Sequence, residues 1–181
     1  MCFKLLLDIL NNNNKELKMK KVWLVVAFVL VFTTILSACG PKADAVGEVL
    51  VTISGKITEK NDGDTYVLDQ AAFDARSVEL TYNDPYMGNG LRYKGILLKD
   101  LAILVGANDA TTISVLSSDG MSVNISMGDA QNWDIMLARW VDGVPLNVDN
   151  GGPVKLVFPD DAEGTYTDAD WAWWVVRVDF K

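Results

Sequence analysis

The sequence predicts an α+β domain dominated by mixed β-sheet, with one or two short helices. Short runs rich in β-branched and alternating apolar residues recur along the chain, and Gly, Asp and Asn clusters separate them. One stretch near residue 100 instead places apolar side chains at helical spacing. Runs of strands with an occasional helix are typical of the α+β class.

The N-terminal part is expected to be a targeting segment rather than part of the fold. Residues 1–18 show no fold pattern, and we interpret Met19 as the true start. Residues 19–38 combine a basic beginning with an apolar run of signal-peptide length, shorter than a stable membrane span needs. Leu36-Ser37-Ala38-Cys39 looks like a bacterial lipobox, so we predict lipidation of Cys39, with residues 39–48 as a linker and residues 49–181 as the domain.

Composition excludes several classes of function. The 181 residues carry a formal charge of −8, and five of the 16 basic but two of the 24 acidic residues precede residue 39, which leaves 11 basic and 22 acidic ones. Such an acidic domain is a poor binder of nucleic acid or of an anionic membrane. The chain has no His, and its two Cys are Cys2 and Cys39. A His-based catalytic triad, a structural zinc site and a disulfide framework are therefore excluded from the domain.

The first half of the domain is expected to contain strands around two short helices. Residues 49–55 and 77–82 predict strands, whereas residues 68–75 indicate a short helix with Asp69 near its start. Residues 83–90 contain Pro85, Gly88 and Gly90 and are interpreted as a loop. Apolar residues at 97, 98, 101, 104 and 105 predict a helix that ends at Gly106. Residues 111–117 and 121–127 then predict a hairpin.

The C-terminal stretch predicts three further strands. Residues 134–141 form the first, and Asp142-Gly143 is a strong hairpin-turn signal after it. Residues 154–159 follow Gly151-Gly152-Pro153, a sequence typical of a backbone that bends sharply or approaches something closely. Residues 173–180 form the last strand. On a strand, Trp171 and Trp173 would share one face, either as core residues or as an aromatic platform for a flat heterocycle.

The order of these pieces resembles a known family. "YKGILLKDLAILVGA", "LARWVDGVPL", "GGPVKLVFP" and "WWVVRVDF" are similar to consecutive segments of the oxidoreductase molybdopterin-binding domain, over roughly residues 50–180. The resemblance implies a barrel-like sulfite-oxidase fold and a pterin or molybdopterin-like ligand. It also implies that the metal-binding Cys of the enzymes would follow the strand at residues 77–82. This chain has Tyr82-Asn83-Asp84-Pro85 there, with no thiol, so we expect no metal and no catalytic residues.

The resemblance also supplies candidate ligand contacts. Lys155 stands where the family has an Arg, Trp173 stands where it has a cofactor-binding Lys, and Arg177 matches the Arg of its last strand. With Arg92 and Trp171, these residues are the predicted cofactor-binding set. For each cation, an ion pair with one of the many acids remains an alternative.

Three functions remain open. The first is a ligand-binding module, anchored by lipid to the outer face of the bacterial cytoplasmic membrane and signalling through a membrane or redox partner. The second is a molybdopterin-dependent oxidoreductase. The third is a structural or interaction lipoprotein that uses the Trp cluster for protein contact.

Overall fold

The computed structural model of this protein describes residues 47–181. The predicted signal segment, Cys39 and most of the linker lie outside the described residues. Within them, no helix is both long and apolar enough to cross a membrane. The elements are β1 (Val49–Gly55), β2 (Tyr66–Asp69), α1 (Gln70–Asp74), β3 (Val78–Asp84), β4 (Gly88–Leu97), α2 (Leu98–Leu104), β5 (Thr112–Ser117), β6 (Ser122–Ser126), α3 (Met127–Asn132), β7 (Met136–Val141), β8 (Val144–Pro145), β9 (Lys155–Val157) and β10 (Val175–Phe180).

The first sheet joins the two ends of the domain. Its strand order is β2-β1-β10-β5-β6. β1 pairs with β10 in parallel, from Thr52 opposite Arg177 to Gly55 opposite Phe180, and the other pairs are antiparallel. The predicted hairpin is confirmed as β5 and β6. The last strand therefore completes a sheet that the first strand begins.

The second sheet is antiparallel and has the order β3-β4-β7-β8. β7 pairs with β4 along one edge. Along its other edge, Met136–Ala138 pairs with β9, and Trp140 and Val141 pair with β8 across the predicted Asp142-Gly143 turn. Asp142 and Gly143 both have positive φ, as a hairpin turn with matching twist requires. The described residues thus form two sheets and no closed barrel, so the predicted mixed β architecture is confirmed.

One hydrophobic core holds the sheets together. Its members come from both sheets and from α2, and the largest side chains with almost no exposure include Tyr93, Phe73, Phe180, Ile53 and Leu68. Burying such side chains contributes about 1.5–3 kcal/mol each. A core of this size gives the surrounding loops a rigid frame.

Residues 47–181 contain three short helices, and their boundaries differ from the expected ones. α1 begins at Gln70, because Asp69 caps it by accepting a hydrogen bond from the Ala72 amide, while Leu68 belongs to β2. Leu97 belongs to β4 rather than to the following helix. The segment interpreted as a loop at residues 83–90 is mostly strand, since β3 runs to Asp84 and β4 starts at Gly88.

The Trp-rich approach to the last strand was predicted incorrectly. β10 begins at Val175, so Trp171 and Trp173 do not share a strand face. Trp174 has a φ of 53°, which lies in the left-handed region. The backbone at Trp174 is therefore not extended, and β10 begins only after it. Its indole Nε1 donates to the Val148 carbonyl at 2.8 Å, which holds this turn against the short 3₁₀ segment Val148–Asn150.

Candidate functional site

A buried ion pair lies where β3 ends. Lys155 on β9 places its Nζ 2.5 Å from Oδ2 of Asp84, the last residue of β3, and both side chains have 0% exposure. The Tyr93 hydroxyl donates to the same Oδ2 at 2.5 Å. The other carboxylate oxygen, Oδ1, accepts the amides of Tyr86 and Met87 at 2.8 and 3.1 Å. Every oxygen lone-pair direction of this carboxylate therefore faces a donor from the protein.

Three aromatic rings enclose the ammonium group of Lys155. Its Nζ lies 5.0 Å from the ring centroid of Trp173, 5.3 Å from that of Trp171 and 5.6 Å from that of Tyr86. A cation within about 6 Å of an aromatic face is attracted to its electrons. Among the described residues, the amine of Lys155 has Asp84 as its hydrogen-bonding partner. On its other sides, the three rings attract its positive charge.

The double glycine of the sequence brings Trp173 onto this group. A Cβ at Gly151 would lie 2.8 Å from Cγ of Trp173, so the ring packs directly on the glycine backbone. Gly151 also has a φ of +85°, which favours glycine. The sequence Gly151-Gly152-Pro153 predicted either a sharp bend or a close approach to the backbone. The close approach of the Trp173 ring to the Gly151 backbone places that ring over Lys155.

Burial and pairing act in opposite directions on the charges of this group. Burial lowers the pKa of the Lys155 amine, and the hydrogen bond and charge of Asp84 oppose this only in part. Burial alone would raise the pKa of the Asp84 carboxyl, but hydrogen bonds from Lys155, Tyr93 and the Tyr86 amide hold it below its usual value. Burial, with the nearby Asp84 charge, raises the pKa of Tyr93 so far that its hydroxyl keeps its proton.

An open cavity of about 280 Å³ lies next to the ion pair. One wall is the turn between β3 and β4, with Asn83, Pro85 and Asn89. The opposite wall is the segment at residues 158–171. Its aromatic part consists of Phe158, Tyr166 and Trp171, and the Phe158 and Tyr166 rings stack with centroids 4.7 Å apart. Trp171 belongs both to this wall and to the enclosure of Lys155, so the cavity and the ion pair share a side chain.

Hydrogen bonds fix the two walls of the cavity relative to each other. Asn83 Nδ2 donates to Asp160 Oδ2 at 2.6 Å, and the Tyr86 hydroxyl donates to the Asp168 carbonyl at 2.7 Å. The Tyr166 hydroxyl donates to Asp129 Oδ2 at 2.8 Å, which ties the aromatic wall to α3. These bonds connect distant parts of the sequence, so the cavity is formed before any ligand arrives.

The cavity is acidic. Asp160, Glu163 and Asp168 line it, and its lining includes no Lys or Arg. Lys155 is nearby but is neutralised by Asp84. A phosphate group would therefore be repelled, whereas N–H donors of a heterocycle would find acceptors.

The predicted ligand contacts are spread over the domain. Trp171 lines the cavity, and Lys155 and Trp173 lie behind it in the buried group. Arg92 lies on β4 and approaches Glu79 and Asp142 at 3.5 and 3.7 Å. Arg177 lies on β10, in the other sheet, and donates to the Ser54 hydroxyl at 3.1 Å. Their ligand-binding roles stay predictions, and the structure brings only Trp171, Trp173 and Lys155 together.

Comparison with known proteins identifies the family. The family model described as the oxidoreductase molybdopterin binding domain matches residues 67–181. The chain belongs to the oxidoreductase molybdopterin-binding domain family. Among solved structures, the sulfane dehydrogenase SoxCD from Paracoccus pantotrophus is similar, with a TM-score of 0.50 and 16% sequence identity. The match covers 72% of this chain and 37% of that one, so the likeness concerns the fold. A comparison with curated protein sequences found no match.

The residues at the expected metal position do not fit a molybdenum-bearing cofactor of this family. A molybdenum thiolate ligand would be expected just after the β3 region, but the buried acceptor there is the Asp84 carboxylate, whose oxygens are already occupied. A hard carboxylate held by an ammonium group is a poor substitute for a soft sulfur ligand. Among residues 47–181, no group of three His, Cys, Asp or Glu side chains is placed to hold a metal ion.

Sequence reasoning identified the missing thiol but not what replaces it. Asp84, Tyr86 and Tyr93 were not candidates, although they form the centre of the site. The sequence Asn83-Asp84-Pro85 is typical of a solvent-exposed turn, so it gave no sign that Asp84 is buried. The one available signal was Lys155, a charge within the apolar run Val154–Phe158, because a buried cation requires a buried partner.

Proposed function

We propose that this domain binds a flat, pterin-like heterocycle in its acidic cavity and performs no molybdenum-centred redox chemistry. The observation that carries the proposal is the position of the cavity. Its aromatic wall at Trp171 adjoins the place where a metal-binding thiolate would be expected, and that place holds the Asp84–Lys155 pair. The chain has the family's fold, but its residues there suit a ring rather than a metal.

The size and polarity of the cavity support a small ring without a phosphate. About 280 Å³ is at the lower limit of ordinary ligand pockets, enough for a two-ring heterocycle. Aromatic faces suit stacking, and the carboxylates of Glu163 and Asp168 suit the amino and ring N–H groups along the edge of a pterin. The anionic end of a complete molybdopterin would meet these same carboxylates and be repelled.

The cellular setting is the second part of the proposal. Cys39 carries a lipid anchor, and the domain stands at the outer face of the bacterial cytoplasmic membrane. A lipid-anchored ligand-binding module would report its occupancy to a membrane or redox partner. The lipobox-like sequence before Gly40 supports this setting.

Isothermal calorimetry with an unphosphorylated pterin tests ligand binding. Trp171→Ala is expected to weaken binding about tenfold, because loss of a stacked ring costs about 0.5–1.5 kcal/mol beyond the lost contact area. Trp140→Ala is the matched control, since Trp140 lies on β7 and does not line the cavity. Equal affinity in both variants would contradict the proposed site.

Metal analysis of protein purified from its own cells separates this proposal from the alternative of a molybdopterin-dependent oxidoreductase. The proposal expects no stoichiometric molybdenum. One molybdenum atom per chain would contradict the proposal and support the molybdopterin-dependent oxidoreductase.

A further inference from the structure

The Lys155–Asp84 pair has the geometry of two groups able to react with each other. The amine nitrogen and the carboxylate oxygen are 2.5 Å apart, neither side chain is exposed, and three aromatic rings surround the amine. Ligand binding in the neighbouring cavity does not require a charged pair at this position. The pair therefore calls for an explanation of its own.

We propose that Lys155 and Asp84 become joined by an amide bond after folding, a covalent cross-link between β9 and the end of β3. The bond would form between Nζ and Cγ, with Oδ2 leaving as water. The cross-link is independent of the proposed ligand.

Burial supplies the driving force for this condensation. Holding two charges in a dry interior costs several kcal/mol per ion, which their mutual attraction only partly offsets. An amide carries no net charge and needs only ordinary hydrogen bonds. Hydrolysis would require a water molecule to enter a space enclosed by Tyr86, Trp171 and Trp173.

The proton and electron balance is complete within the pair. One proton passes from the ammonium group of Lys155 to Oδ2, which gives a neutral amine and a neutral acid. The Nζ lone pair then attacks Cγ, and the electrons of the carbonyl bond move to Oδ1. A second proton passes from Nζ to Oδ2. The electron pair on Oδ1 then re-forms the carbonyl bond, and the Cγ–Oδ2 bond breaks with its electron pair going to the leaving water. The amide keeps the third proton on nitrogen.

The lowered pKa of Asp84 opposes the first proton transfer, but the groups around this residue suit the later stages of the reaction. Oδ1 already accepts the amides of Tyr86 and Met87, at 2.8 and 3.1 Å, so the negative charge that develops on it meets two fixed donors. The Tyr93 hydroxyl donates to Oδ2, the oxygen that must leave, and can relay a proton to it. The lowered pKa of Lys155 makes the neutral, nucleophilic amine accessible.

Intact mass spectrometry of the denatured full chain tests the cross-link. The wild-type protein is expected to be lighter than its unlinked sequence by one water molecule. Lys155→Arg and Asp84→Ala are expected to show their full masses. Asp84→Asn is the informative variant, because its amide can lose ammonia instead and yield the same final mass as the cross-linked wild type. Tyr93→Phe is expected to leave a larger unlinked fraction.

Peptide mapping assigns the lost water to a position. Asp-Gly sequences such as Asp142-Gly143 can lose water by cyclising onto their own backbone, so the mass alone is insufficient. The proposal expects a branched peptide that joins the segments around residues 84 and 155. A full-mass wild-type chain, or a water loss that maps to an Asp-Gly sequence, would overturn it, and neither result depends on whether a variant folds.

Discussion

The side chain of Lys155 lies wholly inside the protein, and the contacts around it connect most parts of the site. Its partner is Asp84, its neighbours are Trp171 and Trp173, and Trp173 in turn rests on Gly151. Removing one member of a buried pair leaves the other charge without compensation, which costs more than the pair itself contributes. The residue therefore matters more for stability than a surface lysine would.

Lys155→Met is expected to lower the free energy of unfolding by at least about 3–5 kcal/mol, because the Asp84 carboxylate then stays buried with neither a cation nor the proposed cross-link. Urea denaturation measures the change. Arg92→Met is the control, since Arg92 pairs with Glu79 and Asp142 at the surface and should cost at most about 1 kcal/mol. Similar losses in both variants would show that the buried pair is not the stabilising feature we describe.

Tyr166 makes stability depend on pH in the alkaline range. Burial, together with the hydrogen bond to Asp129 and its charge, raises the pKa of Tyr166 from 10.0 to about 12. Folding thus favours the protonated hydroxyl of Tyr166. The stability that this hydroxyl contributes is complete below pH 10 and is lost as the pH rises through about 12. Tyr166→Phe is expected to make this part of the stability profile less steep, while Tyr82, Tyr86 and Tyr93, whose pKa values are also raised, supply the remaining slope. An unchanged slope would contradict the assignment to Tyr166.

The parallel pairing of β1 with β10 requires a residue without a side chain at its end. Gly55 has a φ of +93°, and a Cβ there would lie 2.0 Å from the Phe180 carbonyl oxygen. The Lys56 amide following it donates to that same oxygen at 2.7 Å. The end of the strand pair thus depends on backbone contact that only glycine permits.

Gly55→Ala is expected to cost about 2–4 kcal/mol, because the strained φ and the collision with β10 act together. Thermal unfolding followed by circular dichroism measures it. Gly63→Ala is the matched control, since Gly63 also has positive φ but has nothing within 4 Å of its added Cβ, and about 1 kcal/mol is expected. Equal costs would mean that the contact with Phe180 contributes nothing.

Elements whose patterns are local were predicted well, and those decided by distant contacts were not. The β5–β6 hairpin and the Asp142-Gly143 turn follow from alternation and turn chemistry within a few residues. Leu97 fits a helical spacing, yet pairing with Met136 on β7 keeps it in β4. Trp173 and Trp174 look like strand residues, but contacts with Gly151 and Val148 hold them outside β10. Spacing alone contains no information about such partners.

The whole domain places its site between segments that are far apart in sequence. The cavity needs the β3–β4 turn, the segment at residues 158–171 and α3 together, and no single stretch of sequence describes it. The family resemblance predicted the fold correctly, which the family match and the solved relative confirm. The resemblance did not point to the Asp84–Lys155 pair, because Asp84 and Lys155 lie 71 residues apart and only folding brings them together.

Cys39→Ala tests the proposed attachment to the membrane. The wild-type protein is expected in the membrane fraction, released by detergent but not by high salt, because acyl chains rather than charge would hold this acidic chain there. The variant is expected to lack the acyl chains, which its intact mass would show. A variant that still carries acyl chains would contradict lipidation at Cys39.

The parallel pair of first and last strands has a consequence for synthesis. Until Val175–Phe180 leaves the ribosome, β1 with β2 and β5 with β6 are two separate fragments with no strand between them. Such long-range closure is slow compared with local folding. The nascent polypeptide should therefore remain open to chaperones and to a translocation channel until Val175–Phe180 can pair, and should gain protease resistance only afterwards.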